Sequence, residues 1–158
     1  MEMPIPHDNS NIVSSWDVLN GQEVTGDCVV IGGGLVGAET AEYLANKGHQ
    51  VTIVEMMDKI AAGESTTVLP LMMKDFADHN VKQLVNTKVD HIENNIVYTA
   101  NDQIKADTII NALGSKKNIF DDSSITIPHV CVGDCSGERT ADIASAIRTA
   151  YHAANAID

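Results

Sequence analysis

Four residues in the first third of the sequence have the types and order of a phosphate-binding turn followed by a sugar-binding acid. Gly32, Gly34 and Gly37 fill the pattern G-x-G-x-x-G, and Glu55 ends the next apolar run. In this pattern the first glycine permits a tight turn, the second lets the backbone approach a pyrophosphate, and the third allows close helix packing. A carboxylate at Glu55 can accept both ribose hydroxyls of an adenosine and repels a 2′-phosphate. Residues 56–58 contain no arginine, so the pattern predicts NADH in preference to NADPH.

The residues around the glycines have less specific roles. Leu35 and Val36 open the predicted helix, where free backbone N–H groups and the helix dipole favour an anion. Glu39 follows in the same helix, and it either complements the helix dipole or contacts the ligand. Gly33 is interpreted as adding only slack to the turn.

Hydrophobic patterning predicts the elements that position these residues. A buried strand (27–31), a helix (35–47) and a second buried strand (50–55) form a βαβ unit. A helix over 65–80 begins with Ser/Thr and carries Pro70 in its first turn. Short β-prone runs over 81–106 indicate an antiparallel meander. Two further strands (107–114 and 129–135) and an amphipathic helix from 138 complete the pattern. The fold class is therefore α/β: a Rossmann-like three-layer domain, with a central parallel sheet and the meander as a crossover.

The sequence predicts three parts. Residues 1–26 form a lead-in segment, in which residues 1–13 lie on the surface and are followed by a short helix capped by Ser15. Residues 27–118 form the NAD(H)-binding domain, and residues 119–158 add a C-terminal strand and helix packed on the same core. No catalytic residue is assigned to any part.

Composition excludes several functions. The 158 residues carry 22 acidic and 10 basic side chains, a net charge of −12, which disfavours nucleic acid and anionic membranes as partners. The six histidines lack metal-ligand spacing, so no metal is expected. The N-terminus has no secretory pattern. The three cysteines are interpreted as reduced thiols of a cytoplasmic protein, and Cys131 and Cys135, spaced x3, match neither C-x2-C nor C-x4-C redox pairs.

Residues 29–55 resemble the pyridine-nucleotide domain of two-dinucleotide flavoprotein reductases, in which an NAD(P)H domain is inserted into an FAD domain. This resemblance implies that Glu39 lies near the nicotinamide carboxamide. The run ADTIINALGSKKN resembles the strand and turn that close the insert, which implies that Gly114 lies near the dinucleotide. The segment from HVCVGDC onward resembles the end of the FAD domain, which implies that Asp134 contacts the flavin ribityl chain.

Nearly the whole chain resembles the C-terminal part of the 2,4-dienoyl-CoA reductase and enoate reductase group, which are NADH:flavin oxidoreductases with an Old Yellow Enzyme-type barrel. The resemblance implies a piece of a longer protein, because the family's FAD-binding glycine turn and its barrel would precede residue 1. The expected partners are the remaining flavin domains, with a homodimer as an open alternative. FAD would belong to the parent protein and be absent here. A stand-alone NAD-binding sensor is the competing interpretation.

Overall fold

The chain divides into two compact units, Met1–Gly114 and Ser115–Asp158. The computed structural model describes residues 3–62, 67–114, 121–136 and 143–157. The division falls close to residue 118, where the sequence placed the end of the nucleotide-binding domain. The roles assigned to the predicted parts stay predictions.

The first unit contains eight strands and three helices within its described residues. The strands are β1 (Ile12–Ser14), β2 (Cys28–Ile31), β3 (Val51–Val54), β4 (Lys82–Leu84), β5 (Val89–Glu93), β6 (Ile96–Thr99), β7 (Gln103–Lys105) and β8 (Thr108–Asn111). The helices are α1 (Ser15–Leu19), α2 (Leu35–Asn46) and α3 (Leu69–Asp78). Five strands form a parallel sheet in the order β1-β8-β2-β3-β4, and β5-β6-β7 form a separate antiparallel sheet.

Each face of the parallel sheet has its own hydrophobic core. Val30 and Ile53 belong to the cluster shared with α2 and α3. Val29 and Ile31, one position away in β2, belong to the cluster shared with the meander. Because side chains alternate along a strand, β2 and β3 are buried on both faces, as central parallel strands are. The predicted α/β class with three layers, a parallel sheet and an antiparallel meander is confirmed.

Two edge strands of the parallel sheet differ from the prediction. The lead-in was predicted to lie on the surface, but β1 pairs with β8, Ile12 opposite Ile109. Residues 81–84 were predicted in the meander, but β4 pairs in parallel with β3, Lys82 opposite Thr52. Both strands have three residues and no fully buried position. They are too short and too exposed to show the apolar run of a buried parallel strand.

Helix starts also differ in detail from the prediction. The N-cap of α1 is Ser14, not Ser15, and the Ser14 hydroxyl accepts the Asp17 N–H at 3.1 Å. Pro70 lies in the first turn of α3, as predicted, but the N-cap is Val68, which offers no side-chain cap. Ser65 and Thr66, the first two residues of the predicted helix with its Ser/Thr cap, lie outside the described residues.

The second unit lacks the predicted strand 129–135 in the part that the structure describes. Residues 129–132 are irregular, and Gly133–Cys135 form a single 3-10 turn before helix α4 (Ile143–Asn155). Val130 is 65% exposed. A strand requires a neighbour that accepts its backbone hydrogen bonds, and none of the described residues pairs with this run.

None of the helices within the described residues is long and apolar enough to cross a membrane.

Two facing carboxylates on α2 and α3 give a pH-dependent stability. Burial, then the hydrogen bond and charge of Asp75, raise the pKa of Glu42 above its ordinary value of 4.5. A raised folded-state pKa stabilises the fold below the unfolded pKa, and this stabilisation is lost as pH rises through the folded pKa. We expect Glu42→Gln to raise the free energy of unfolding at pH 7 by less than about 1 kcal/mol, since solvent screens the pair, and to raise the melting temperature accordingly. The gain should vanish at pH 4. Thermal melts at both pH values test this, with Glu23→Gln as an exposed control; an equal gain at pH 4 contradicts it.

Candidate dinucleotide site

The turn between β2 and α2 is fixed by backbone contacts to β3 and to the segment that follows β3. The Gly32 N–H donates to the Val54 carbonyl at 2.9 Å, and the Gly33 carbonyl accepts the Ala61 N–H at 2.7 Å. Gly32 has φ +101°, and a Cβ there would lie 2.6 Å from the Ala112 carbonyl oxygen. Only glycine fits this conformation and this approach to the end of β8.

Gly37 lets α2 pack directly against the turn. A Cβ on Gly37 would lie 1.9 Å from the Gly32 carbonyl oxygen and 3.1 Å from the Ala112 Cβ. Backbone at such a distance cannot move aside without shifting the helix. The structure thus gives Gly37 the close packing that the sequence pattern predicted for the third glycine.

Gly34, unlike Gly37, has open space where a side chain would project. It is the N-cap of α2, exposed, with φ −65° and ψ −175°, and it provides no side-chain cap. Nothing lies within 4 Å of a Cβ built on it. The first intrahelical bond runs from the Ala38 N–H to the Gly34 carbonyl at 2.9 Å, so the N–H groups at Leu35 and Val36 have no carbonyl within the helix to bind. Bare backbone, free donors and the positive end of a helix dipole fit a pyrophosphate.

Gly33 does more than the sequence analysis assigned to it. A Cβ there would lie 2.5 Å from Ile60 Cδ1 and 3.0 Å from Glu55 Cβ. The segment after β3 therefore packs directly over the turn, and Gly33 leaves room for it. The interpretation of this residue as slack is wrong.

Glu55 contacts the turn rather than facing open solvent. Its carboxylate accepts the Gly33 N–H at 2.6 Å and the Met57 N–H at 2.7 Å, and the residue is 9% exposed. A carboxylate has about four lone-pair sites, so these two bonds leave acceptor capacity for hydroxyl groups. Glu55 thus supports the glycine turn and can also face a ligand.

A cleft of about 150 Å³ lies beside the turn, at the carboxyl ends of the parallel strands. Its lining includes Gly32, Glu55, Met56, Thr87, Lys88 and Leu113. Open parallel sheets bind ligands at this edge. The backbone holds the two sides together, since the Thr87 N–H donates to the Glu55 carbonyl at 2.9 Å.

Thr87 and Lys88 were not predicted as site residues, because residues 81–84 were assigned to the meander. Once β4 is part of the parallel sheet, residues 85–88 follow its carboxyl end and reach the ligand edge. Lys88 brings a positive charge to the cleft, although residues 56–58 contain no arginine. Lys88 acts against the predicted preference for NADH over NADPH, because a cation can receive a 2′-phosphate.

The remaining predicted site residues lie at different places. Gly114, with φ +83°, is exposed and ends the first unit just after Leu113 of the cleft. Glu39 is an exposed residue of α2, past the first turn. Asp134 lies in the 3-10 turn of the second unit, and its role toward a flavin stays a prediction.

Fold and turn together define a dinucleotide-binding α/β domain. Residues 3–129 match the pyridine nucleotide-disulphide oxidoreductase family, and the chain belongs to this family. The resemblance stated from the sequence is confirmed at this level.

Several characterised proteins are similar to nearly the whole chain. Bilirubin reductase of Mediterraneibacter gnavus is 44% identical, matching 97% of this chain and 24% of its own length. Cinnamate reductase of Clostridium sporogenes is 30% identical over 92% of this chain and 23% of its own. A 2-naphthoyl-CoA reductase complex superposes with a TM-score of 0.79 at 27% identity, over 99% of this chain and 25% of that one. The chain thus spans about a quarter of the length of these relatives.

Proposed function

We propose that the chain is the NADH-binding part of a longer flavin-dependent oxidoreductase similar to the 2,4-dienoyl-CoA and enoate reductases. In this role it binds NADH and orients the nicotinamide toward a flavin held by other parts of the protein. The observation that carries the proposal is the open, uncapped N-terminus of α2 at Gly34, next to the cleft lined by Glu55.

The residues of this chain supply binding and orientation. The turn from Gly32 to Gly34 presents backbone N–H groups to the pyrophosphate. The carboxylate of Glu55, held by the turn, accepts ribose hydroxyls, and Gly114 borders the dinucleotide. The nicotinamide supplies the hydride. Similarity to reductases of bilirubin and cinnamate supports this reaction class.

A stand-alone NAD-binding sensor is the second candidate, and the same site supports it. The two differ in what accompanies the domain. A second glycine fingerprint or a barrel encoded upstream of residue 1 in the same reading frame would favour the oxidoreductase, and a gene that encodes only this chain would favour the sensor.

We expect the chain to bind NADH at least about tenfold more tightly than NADPH, a difference of about 1.4 kcal/mol. The reason is repulsion between the Glu55 carboxylate and a 2′-phosphate. Calorimetric titration with both nucleotides measures the ratio. Glu55→Gln keeps the side-chain size and should narrow the ratio by improving NADPH binding.

Lys88 is expected to favour NADPH, the opposite of the effect of Glu55, and the same titrations measure it. Lys88→Gln should weaken NADPH more than NADH, whereas Lys82→Gln, an exposed lysine of β4, should change neither. Melting curves of each variant show whether the turn is intact, because Glu55 also accepts the Gly33 and Met57 N–H groups. Equal affinities, or a preference for NADPH, would overturn the role given to Glu55.

A further inference from the structure

The segment that precedes β1 reaches the dinucleotide cleft. Ile5 belongs to the lining of the cleft, together with Val89 of the meander and Leu113 after β8. Residues 1–13 were predicted to lie on the surface, and no role at the site was assigned to them. In the folded chain this segment instead supplies part of the wall of the cleft.

Contacts on both sides of Ile5 hold the segment in place. Met3 is 7% exposed and belongs to the hydrophobic core shared with the meander, and Ile5 packs against the same core. After Ile5, the Pro6 carbonyl accepts the Ile92 N–H at 2.9 Å, and the Asp8 N–H donates to the Ile92 carbonyl at 3.3 Å. Ile5 therefore lies between two anchored positions and is held at the cleft.

A second set of hydrogen bonds ties the segment to the turn between β5 and β6. The Asn94 N–H donates to the Asp8 carboxylate at 2.8 Å. The Asn95 side-chain oxygen accepts the Asn11 N–H at 2.7 Å, and the Asn95 N–H donates to the Ser10 hydroxyl at 2.9 Å. The segment is thus fixed to the same meander that contributes to the cleft. A wall that is ordered before binding costs little conformational entropy when a ligand arrives.

The cleft suits one flat, weakly polar part of a dinucleotide. Its volume of about 150 Å³ is below the roughly 300–1,000 Å³ of pockets that enclose a whole drug-sized ligand. Most of its lining side chains are apolar, so a pyrophosphate would lose its hydration there without compensation. Glu55, proposed above to accept the ribose hydroxyls, is also in the lining. The group attached to that ribose is adenine, whose ring faces are apolar.

We infer that Ile5 is a binding residue for the adenine base of the dinucleotide; this inference rests on the proposed function. In the complex the Ile5 side chain packs against the base, and apolar surface of both is removed from water. The base is common to NADH and NADPH, so Ile5 contributes equally to the affinity for each. Glu55 and Lys88 then determine the choice between the two.

Calorimetric titration of the full chain with NADH and with ADP-ribose, which lacks the nicotinamide, tests this inference. Ile5→Ala should weaken both ligands by the same factor, about five- to tenfold, because contact with up to three carbon atoms is lost. Ile5→Leu keeps the side-chain volume and should bind both within about twofold of wild type. Ile12→Ala is the matched control, since Ile12 packs against the same core but is not part of the cleft lining. It should lower the melting temperature and leave both affinities unchanged.

The outcomes separate this inference from the proposed function. Wild-type affinities in Ile5→Ala, or an equal loss in Ile12→Ala, would overturn the role of Ile5 and leave the proposed function intact. A wild-type chain that bound neither ligand would overturn both. Isotope-edited NMR adds a direct measurement on the unsubstituted chain, which does not depend on the folding of a variant. With ADP-ribose bound, an NOE is expected between an Ile5 methyl group and an adenine ring proton, and its absence would contradict the contact.

Discussion

Gly37→Ala is expected to destabilise the first unit by at least about 3 kcal/mol, which lowers its melting temperature by about 10 °C or more. The new Cβ would lie 1.9 Å from the Gly32 carbonyl oxygen. That oxygen belongs to backbone, so α2 must move away from the sheet to relieve the overlap. A movement of this kind opens the cluster in which Ala38 and Ala41 are fully buried.

Thermal and denaturant unfolding of the two proteins measures this effect. Gly34→Ala is the matched control, because it adds the same methyl group three residues earlier where nothing lies within 4 Å. Its φ of −65° suits alanine, so its stability should stay within about 1 kcal/mol of wild type. Equal melting temperatures for wild type and Gly37→Ala would contradict the direct packing of α2 on the turn.

The centre of this fold could be predicted from sequence because its signals are strong. The strands β2 and β3 are four-residue apolar runs buried on both faces, and glycines or polar residues end them. The helix α2 between them has a buried small-residue face and ends before Gly48. For these elements the predicted bounds differ from the observed ones by at most one residue at each end.

The edge strands of the parallel sheet could not be predicted, because they bury less apolar surface and depend on pairing with strands that are distant in the sequence. The strand β4 consists of Lys82, Gln83 and Leu84, and only its pairing with β3 makes it a strand. The opposite error arose at Val130 and Val132, where apolar alternation has no strand partner among the described residues. Periodicity reports a side chain's preference for burial, not whether a neighbouring strand is available.

The glycine turn was predicted in its residues but not in its contacts. The glycine pattern predicted the turn, because these glycines are required by the local backbone conformation. The carboxylate of Glu55 was assigned to a ligand, whereas in the folded chain it also accepts two backbone N–H groups. Those bonds depend on the path of residues 55–57 and could not be inferred from spacing alone.

Gly34→Val is expected to weaken NADH binding by at least about 100-fold while the protein remains folded. The residue is exposed, has extended backbone angles that valine adopts readily, and has open space where a side chain would project. In the proposed complex that space is where the pyrophosphate meets the N–H groups of α2. A branched side chain would hold the phosphates away from these donors, a loss of about 2.7 kcal/mol or more. Calorimetry with NADH measures it.

A graded series at this position separates steric exclusion from loss of stability. Gly34→Ser introduces a good N-cap for α2, so it should raise the melting temperature and still weaken NADH binding, as Gly34→Ala should to a smaller degree. If binding followed stability instead, the serine variant would bind at least as tightly as wild type. Wild-type affinity in the valine variant would show that the dinucleotide does not approach α2 at Gly34, and the proposed function would lose the observation that carries it.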